Sequence, residues 1–194
     1  MGQMPKYRFP FNDQRTILHW VARYHEEEDG SEYPDGTALD AGLRILHGEL
    51  TGANARAIYR WKMQSYLKRF DWVRDFPSPN TDDEITRALR VAVAAARNET
   101  AARIAMDALC NLRGVKTPVA SAFLTAIHPE LFTVIDRQVY KSLGHELSAS
   151  VSTDEYFYYL TFCRDKARDY QVSLRNLDRA LVMFGTEMGK TVCR

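Results

Sequence analysis

Apolar residues recur three or four positions apart along most of the chain, and this spacing restricts the folds open to it. A first predicted helix begins after Asp13. A second carries leucines at i, i+4, i+7 and i+11: Leu39, Leu43, Leu46 and Leu50. No stretch alternates apolar and polar residues over more than a few positions, so nothing in the pattern predicts a sheet. We therefore expect an all-α fold.

Capping residues and glycines predict where further helices begin and end. A third helix, rich in aromatic residues, is expected from about 53 to 70. Thr81-Asp82-Asp83-Glu84 is a capping box and starts a fourth helix. Asn98-Glu99-Thr100 is expected to separate this helix from the next, Thr153 to start another, and Gly185 to stop the last one.

Length and composition exclude several classes of protein. A chain of 194 residues can form a single domain of two lobes, a two-lobed helical bundle, with an ordinary core. Cys110, Cys163 and Cys193 are too far apart for a disulfide framework, and the five histidines show no metal-ligand spacing. No run of about 18 apolar residues could span a membrane. We expect a cytoplasmic protein, nucleoid-associated if prokaryotic, with no metal.

Charge is distributed unevenly although the net charge is only +1. Residues 25–49 hold eight acidic side chains against one basic side chain, whereas residues 55–75 hold six basic against two acidic. One basic face is therefore compatible with a near-neutral total. The alternative is that both segments are ordinary solvated surfaces.

The segment from Leu112 to Ala120 predicts two helices joined by a tight turn. Gly114 lies in the turn, and the second helix is expected to start with Thr117 at the N-cap and Pro118 at the first helical position. The amides around Lys116, Thr117 and Val119 would then lack partners within the helix and lie at the positive end of its dipole, where a phosphate could bind. Such a contact holds the DNA backbone without reading bases.

This segment resembles the hairpin of the helix-hairpin-helix DNA glycosylase superfamily, typically Leu-Pro-Gly-Val-Gly-x-Lys-Thr-Ala. Matches occur at Leu112, Gly114, Val115 and Ala120. The following segment ends in Asp136, 22 residues after Gly114, which is the separation in the family pattern. The resemblance covers about 107–144, within a hairpin and catalytic segment of about 100–144. It implies an all-α, two-lobed protein whose hairpin docks on duplex DNA.

Three departures from the family pattern bear on function. Arg113 replaces the proline and Lys116 replaces the second glycine, which adds positive charge where a phosphate would bind. Pro118 stands where bifunctional members carry the lysine that forms a Schiff base, and proline has no amine. The resemblance therefore implies a monofunctional enzyme. The cysteine positions also rule out the four-cysteine iron–sulfur cluster of some relatives.

Asp136 is the catalytic residue that the resemblance implies, facing a cleft between the lobes into which a nucleotide is flipped. Its carboxylate would stabilise the oxocarbenium-like sugar as the glycosidic bond breaks and orient the attacking water. From local sequence alone, Asp136 is equally well explained as the N-cap of a short helix, 137–143. Both roles can hold at once.

The aromatic third helix and the residues after it carry the candidates for a base pocket. Trp61, Tyr59 and Trp72 could stack on a flipped base, and Lys62 could contact it or supply a substitute nucleophile. The alternative is that the aromatic residues are core and that Lys62 is a surface lysine with a buried stem.

We therefore expect a DNA glycosylase that hydrolyses the N-glycosidic bond of a damaged or modified base and leaves an abasic site. Its role would be DNA repair or defence against modified phage DNA. DNA binding is assigned to Arg113, Gly114, Lys116, Thr117 and Val119. The resemblance admits a monovalent cation on the hairpin carbonyls and no other cofactor, and we expect a monomer. The alternatives are a non-catalytic DNA-binding module and a helical protein-interaction domain.

Overall fold

The computed structural model describes residues 4–67, 75–76, 80–146 and 150–192. Within these ranges it contains α-helices and one short 3-10 helix, Ala94–Arg97, with no strand, so the all-α prediction is confirmed. None of these helices is long and apolar enough to cross a membrane. The α-helices are α1 (Gln14–Glu28), α2 (Asp35–Leu46), α3 (Gly52–Leu67), α4 (Asp82–Val93), α5 (Glu99–Cys110), α6 (Thr117–Ile127), α7 (Arg137–Ser142), α8 (Thr153–Asp169) and α9 (Leu174–Val192).

Side-chain caps set most of the helix starts. The Asp13 carboxylate accepts a hydrogen bond of 2.7 Å from the Thr16 amide at the start of α1. Thr81 and Glu84 form both bonds of the predicted capping box at the start of α4. Asn98 caps α5, and α8 is capped by Ser152, one residue before the predicted position. These starts follow from neighbouring residues because a cap acts within one helical turn.

Residues 31–132 form one compact unit built around α6. Every residue of this 11-residue helix except Pro118 is buried, so α6 has no solvent-facing side. The helices α2, α3, α4 and α5 all pack against it. The beginning of α6 therefore belongs to the central helix of the unit.

A glycine allows α2 to approach α6 at backbone distance. A Cβ atom added to Gly42 would lie 1.9 Å from the carbonyl oxygen of Ala126. The buried face of α2 accordingly consists mainly of small residues, whereas Leu43 and Leu46 are 51% and 39% exposed. The predicted helix is present. The prediction that its leucines mark the buried side is wrong, because the close contact with α6 leaves room mainly for small side chains.

Residues 1–30 and 133–194 form the second compact unit, in which α1, α7 and α8 pack against α9. The predicted stop of the last helix at Gly185 is wrong, since α9 continues to Val192. A Cβ atom on Gly185 would lie 1.9 Å from the carbonyl oxygen of Gln138. Gly185 therefore lets α9 cross α7 closely.

The contact at Gly42 predicts opposite effects for two glycine substitutions in α2. Gly42→Ala should lower the free energy of unfolding by about 1–3 kcal/mol because the methyl group would collide with the α6 backbone. Gly36→Ala is the matched control, since nothing lies within 4 Å of its added Cβ. It should raise stability by up to about 1 kcal/mol through helix propensity. Urea unfolding measures both, and a neutral Gly42→Ala would contradict the close packing.

Candidate nucleic-acid interface and catalytic carboxylate

Gly114 shapes the connection between α5 and α6. Its φ of 85° lies in the left-handed region, which glycine adopts without the steric penalty that other residues meet. The Leu112 amide donates to the Leu109 carbonyl, and the Val115 amide donates to the Leu112 carbonyl, both at 3.1 Å. The chain thus turns tightly at the position where the sequence predicts a turn.

Asn80 holds the turn from outside. Its side-chain oxygen accepts a hydrogen bond of 2.7 Å from the Arg113 amide, and its side-chain nitrogen donates to the Arg113 carbonyl at 3.1 Å. Asn80 immediately precedes the Thr81 cap of α4, so the start of α4 and the turn are tied together. Sequence reasoning missed Asn80, because no local pattern reveals a partner 33 residues away.

Tyr59 and Phe76 pack beneath the turn. Their rings are stacked with centroids 3.9 Å apart, and both side chains are buried. The Tyr59 hydroxyl makes a long contact of 3.4 Å with the Gly114 carbonyl. This packing gives Tyr59 a structural role, and its assignment to a base pocket stays a prediction.

The turn exposes two cationic side chains, Arg113 and Lys116. Lys116, rather than Thr117, occupies the N-cap position, with no cap bond from its side chain. Thr117 is the first helical residue and is buried, as is Val119. The Val119 amide donates to the Lys116 carbonyl at 2.8 Å, so the expectation that it lacks a partner within the helix is wrong. The first turn of α6 is tight enough to use it.

Asp136 caps α7, as predicted. Its Oδ1 accepts a hydrogen bond of 2.9 Å from the Val139 amide, and its side chain is partly exposed. This bond fixes the orientation of the carboxylate at the start of the helix. The role of Asp136 as a cap is confirmed, and its catalytic role stays a prediction.

Two buried tyrosines hold the segment that leads into Asp136. Tyr156 donates to the Thr133 carbonyl at 3.1 Å, and Tyr159 donates to the Val134 carbonyl at 3.0 Å. Burial raises the pKa of both hydroxyls well above the usual value for tyrosine, so both remain protonated donors. The backbone before Asp136 is therefore anchored by side chains of α8.

The underside of α7 is anchored as well. Tyr140 donates to the Glu155 carboxylate at 2.7 Å, and its hydroxyl lies 3.0 Å from that of Tyr7. Burial raises the pKa of Tyr140, and it raises that of Tyr7 to about 12. Although α7 has only six residues, packing and hydrogen bonds hold it in place.

The remaining candidate residues differ in their exposure and surroundings. Trp61 is buried and lines a pocket beside α3, and Lys62 is partly exposed. Trp72 lies outside the described residues, as does Cys193. Cys110 and Cys163 are free cysteines, and burial raises the pKa of both thiols.

Among the described residues, no group of three or more His, Cys, Asp or Glu side chains is arranged to hold a metal ion. The buried His128 ring has a structural contact instead. Its Nε2 lies 3.2 Å from the carbonyl oxygens of both Ala92 and Val93, and burial lowers the pKa of His128. Because both neighbours are acceptors, this nitrogen carries the proton.

Comparison with family models, curated proteins and solved structures finds no match to this chain. Any inference about function therefore rests on the residues themselves and on the resemblance of the segment from Leu112 to Ala120 to the glycosylase hairpin.

The two bonds made by Asn80 predict how firmly the turn is held. Asn80→Ala should reduce hydrogen-exchange protection of the Arg113 amide by about tenfold, since one net hydrogen bond contributes about 0.5–1.5 kcal/mol. Asn176→Ala, the same chemical change in the other unit, is the control and should leave this amide unchanged. Unaltered protection in Asn80→Ala would contradict the proposed hold on the turn.

Proposed function

We propose that the protein is a DNA glycosylase that flips a damaged or modified base and hydrolyses its N-glycosidic bond, leaving an abasic site. The observation that carries this proposal is the α5–α6 turn, in which Gly114 has a φ of 85° between the exposed Arg113 and Lys116. This turn occurs in a segment that resembles the glycosylase hairpin. Asp136 follows it by 22 residues and starts a helix.

The hairpin would bind the backbone of double-stranded DNA. Arg113 and Lys116 supply charges for neighbouring phosphates, and the Asn80 bonds keep the Arg113 backbone from shifting. Contacts of this kind are independent of base sequence and weaken as salt rises, because bound phosphates release their counterions. We propose a monomer acting on DNA in the cytoplasm, in repair or against modified phage DNA.

Asp136 would perform the chemical step. A carboxylate held by the Val139 amide can stabilise the positive charge that develops on the sugar as the base departs. The same group can orient the water that attacks the sugar; this water supplies the hydroxyl that replaces the base and the proton that the departing base takes up. Base flipping is required because the bond to be cleaved is inaccessible within a stacked duplex.

A non-catalytic DNA-binding module is the second candidate. It is favoured by the bond between Asp136 and Val139, which is the contact that a purely structural cap makes. The two candidates share the hairpin and differ only in the chemistry of Asp136. An excision assay therefore separates them.

The proposal predicts that binding and chemistry can be lost separately. Lys116→Glu should weaken binding to all duplexes alike. It should also reduce the slope of the logarithm of the binding constant against the logarithm of salt concentration by about 1, because one phosphate contact is lost. Asp136→Asn should retain binding and lower excision by about 100-fold or more. Excision is measured on duplexes with assorted damaged bases and on modified phage DNA, followed by alkali to cleave abasic sites.

Two results would contradict this assignment. Wild-type affinity and salt slope in Lys116→Glu would remove the hairpin as the docking site. Unchanged excision in Asp136→Asn would move the chemistry to another residue. Thermal unfolding of both variants serves as the control for folding, since Asp136 also caps α7.

The proline at 118 predicts that the enzyme stops after releasing the base. Proline has no amine that could form a Schiff base with the sugar, so a duplex treated with the protein alone should remain unnicked. For the same reason, borohydride should trap little covalent protein–DNA adduct. Lys62→Ala is the control, because Lys62 is the proposed substitute amine. Efficient trapping that disappears in this variant would show that the enzyme is a lyase.

A further inference from the structure

A pocket of about 290 Å³ lies in the 31–132 unit, between the start of α2 and one face of α3. Its volume is just below the range of about 300–1,000 Å³ found for small-molecule sites. The pocket does not include the hairpin turn or Asp136. Its chemistry can therefore be considered separately from the proposed excision reaction.

The α3 wall combines small residues with two cations. Ala53, Arg56, Ala57 and Arg60 are spaced three and four residues apart, so they share one face of the helix. The alanines leave space at the wall, and the arginines supply positive charge beside it. An anion is the group that this wall would attract.

Arg60 carries a buried donor that the described part of the chain leaves without an acceptor. Its Nε atom is buried and has no hydrogen-bond partner among the described residues. Buried donors without partners are rare in folded proteins, and a bound water or ion is one of their ordinary explanations. A guanidinium matches a phosphate well, since its donors form a planar fork that can make two parallel bonds.

Two aromatic side chains of the lining, Trp61 of α3 and Tyr33 before α2, suit a flat ring with polar edges. The Trp61 indole and the Tyr33 ring both line the pocket, and aromatic faces bind nucleobases by stacking. The Tyr33 hydroxyl donates to the Glu32 carboxylate at 2.9 Å. An ionised carboxylate has further acceptor sites, and one of these could accept a hydrogen bond from an exocyclic amino group.

We propose that this pocket binds a nucleoside 5′-phosphate whose base carries an exocyclic amino group. Arg56 and Arg60 hold the phosphate, the base lies against Trp61 and Tyr33, and Glu32 accepts from the amino group. A phosphorylated tyrosine would fit less well, because its ring offers nothing for the carboxylate to accept. The ligand can be a free nucleotide or a nucleotide within a single strand, since both present the same groups.

Isothermal titration of the full-length protein tests the ligand chemistry. We expect saturable binding of dAMP, with deoxyadenosine and inorganic phosphate each at least about tenfold weaker because each lacks half of the contacts. Thymidine monophosphate, which has no exocyclic amino group, should bind several-fold more weakly than dAMP. Tighter binding of a short single strand than of dAMP identifies the strand as the source of the ligand, and equal affinity identifies the free nucleotide.

Three variants test the location. Arg60→Gln and Ala57→Leu should each weaken dAMP binding by about tenfold or more, the first by removing a charge and the second by filling the pocket. Arg90→Gln, which removes an exposed arginine of α4 outside the pocket, should bind like the wild type. Should Ala57→Leu fail to fold, Arg60→Gln and the ligand series decide the matter.

The proposal is overturned if dAMP does not bind at millimolar concentration, if phosphate alone binds as well as dAMP, or if Arg60→Gln binds normally. Asp136→Asn separates this proposal from the proposed excision activity. That variant should retain dAMP binding whether or not Asp136 is catalytic.

Discussion

The close approach of α2 and α6 is the constraint on which the 31–132 unit depends. Because Gly42 has no side chain, the α2 backbone can contact the carbonyl of Ala126, and α6 is enclosed on all sides. Enclosure makes α6 the fixed element against which α3, α4 and α5 pack. The turn at Gly114 acquires its position in this way, since it leads directly into α6.

The other unit uses the same physical device in support of α7. Gly185 lets α9 approach the carbonyl of Gln138, and Tyr140, Tyr156 and Tyr159 satisfy polar groups around the helix and the segment before it. A six-residue helix would not be stable by itself, because forming a first helical turn is unfavourable. The packing of α7 thus holds the Asp136 carboxylate in place, together with the hydrogen bond that it accepts from the Val139 amide.

Local chemistry made much of this structure predictable. The caps at Asp13, Thr81 and Asp136 and the turn at Gly114 depend on residues within a few positions, and all four occur as expected. The extent of α9, the faces of α2, the Asn80 bonds and the pocket at Arg60 depend on contacts between distant segments. A glycine that ends a helix and a glycine that lets two helices touch look alike in sequence, so the pattern around Gly185 predicts a helix end where the structure has a helix contact.

The enclosure of α6 has a consequence for cooperativity. A helix that is buried on every side can lose its structure only when the surrounding unit opens, because no part of its flank is free to separate. The exposed turn at Gly114 is continuous with α6, so it is joined to a helix that unfolds only when the whole unit unfolds. A molecule that binds to this turn would therefore stabilise the whole 31–132 unit against unfolding. Its binding free energy would be observed as a rise in the melting temperature of the unit, and not as a reduced local motion of the turn.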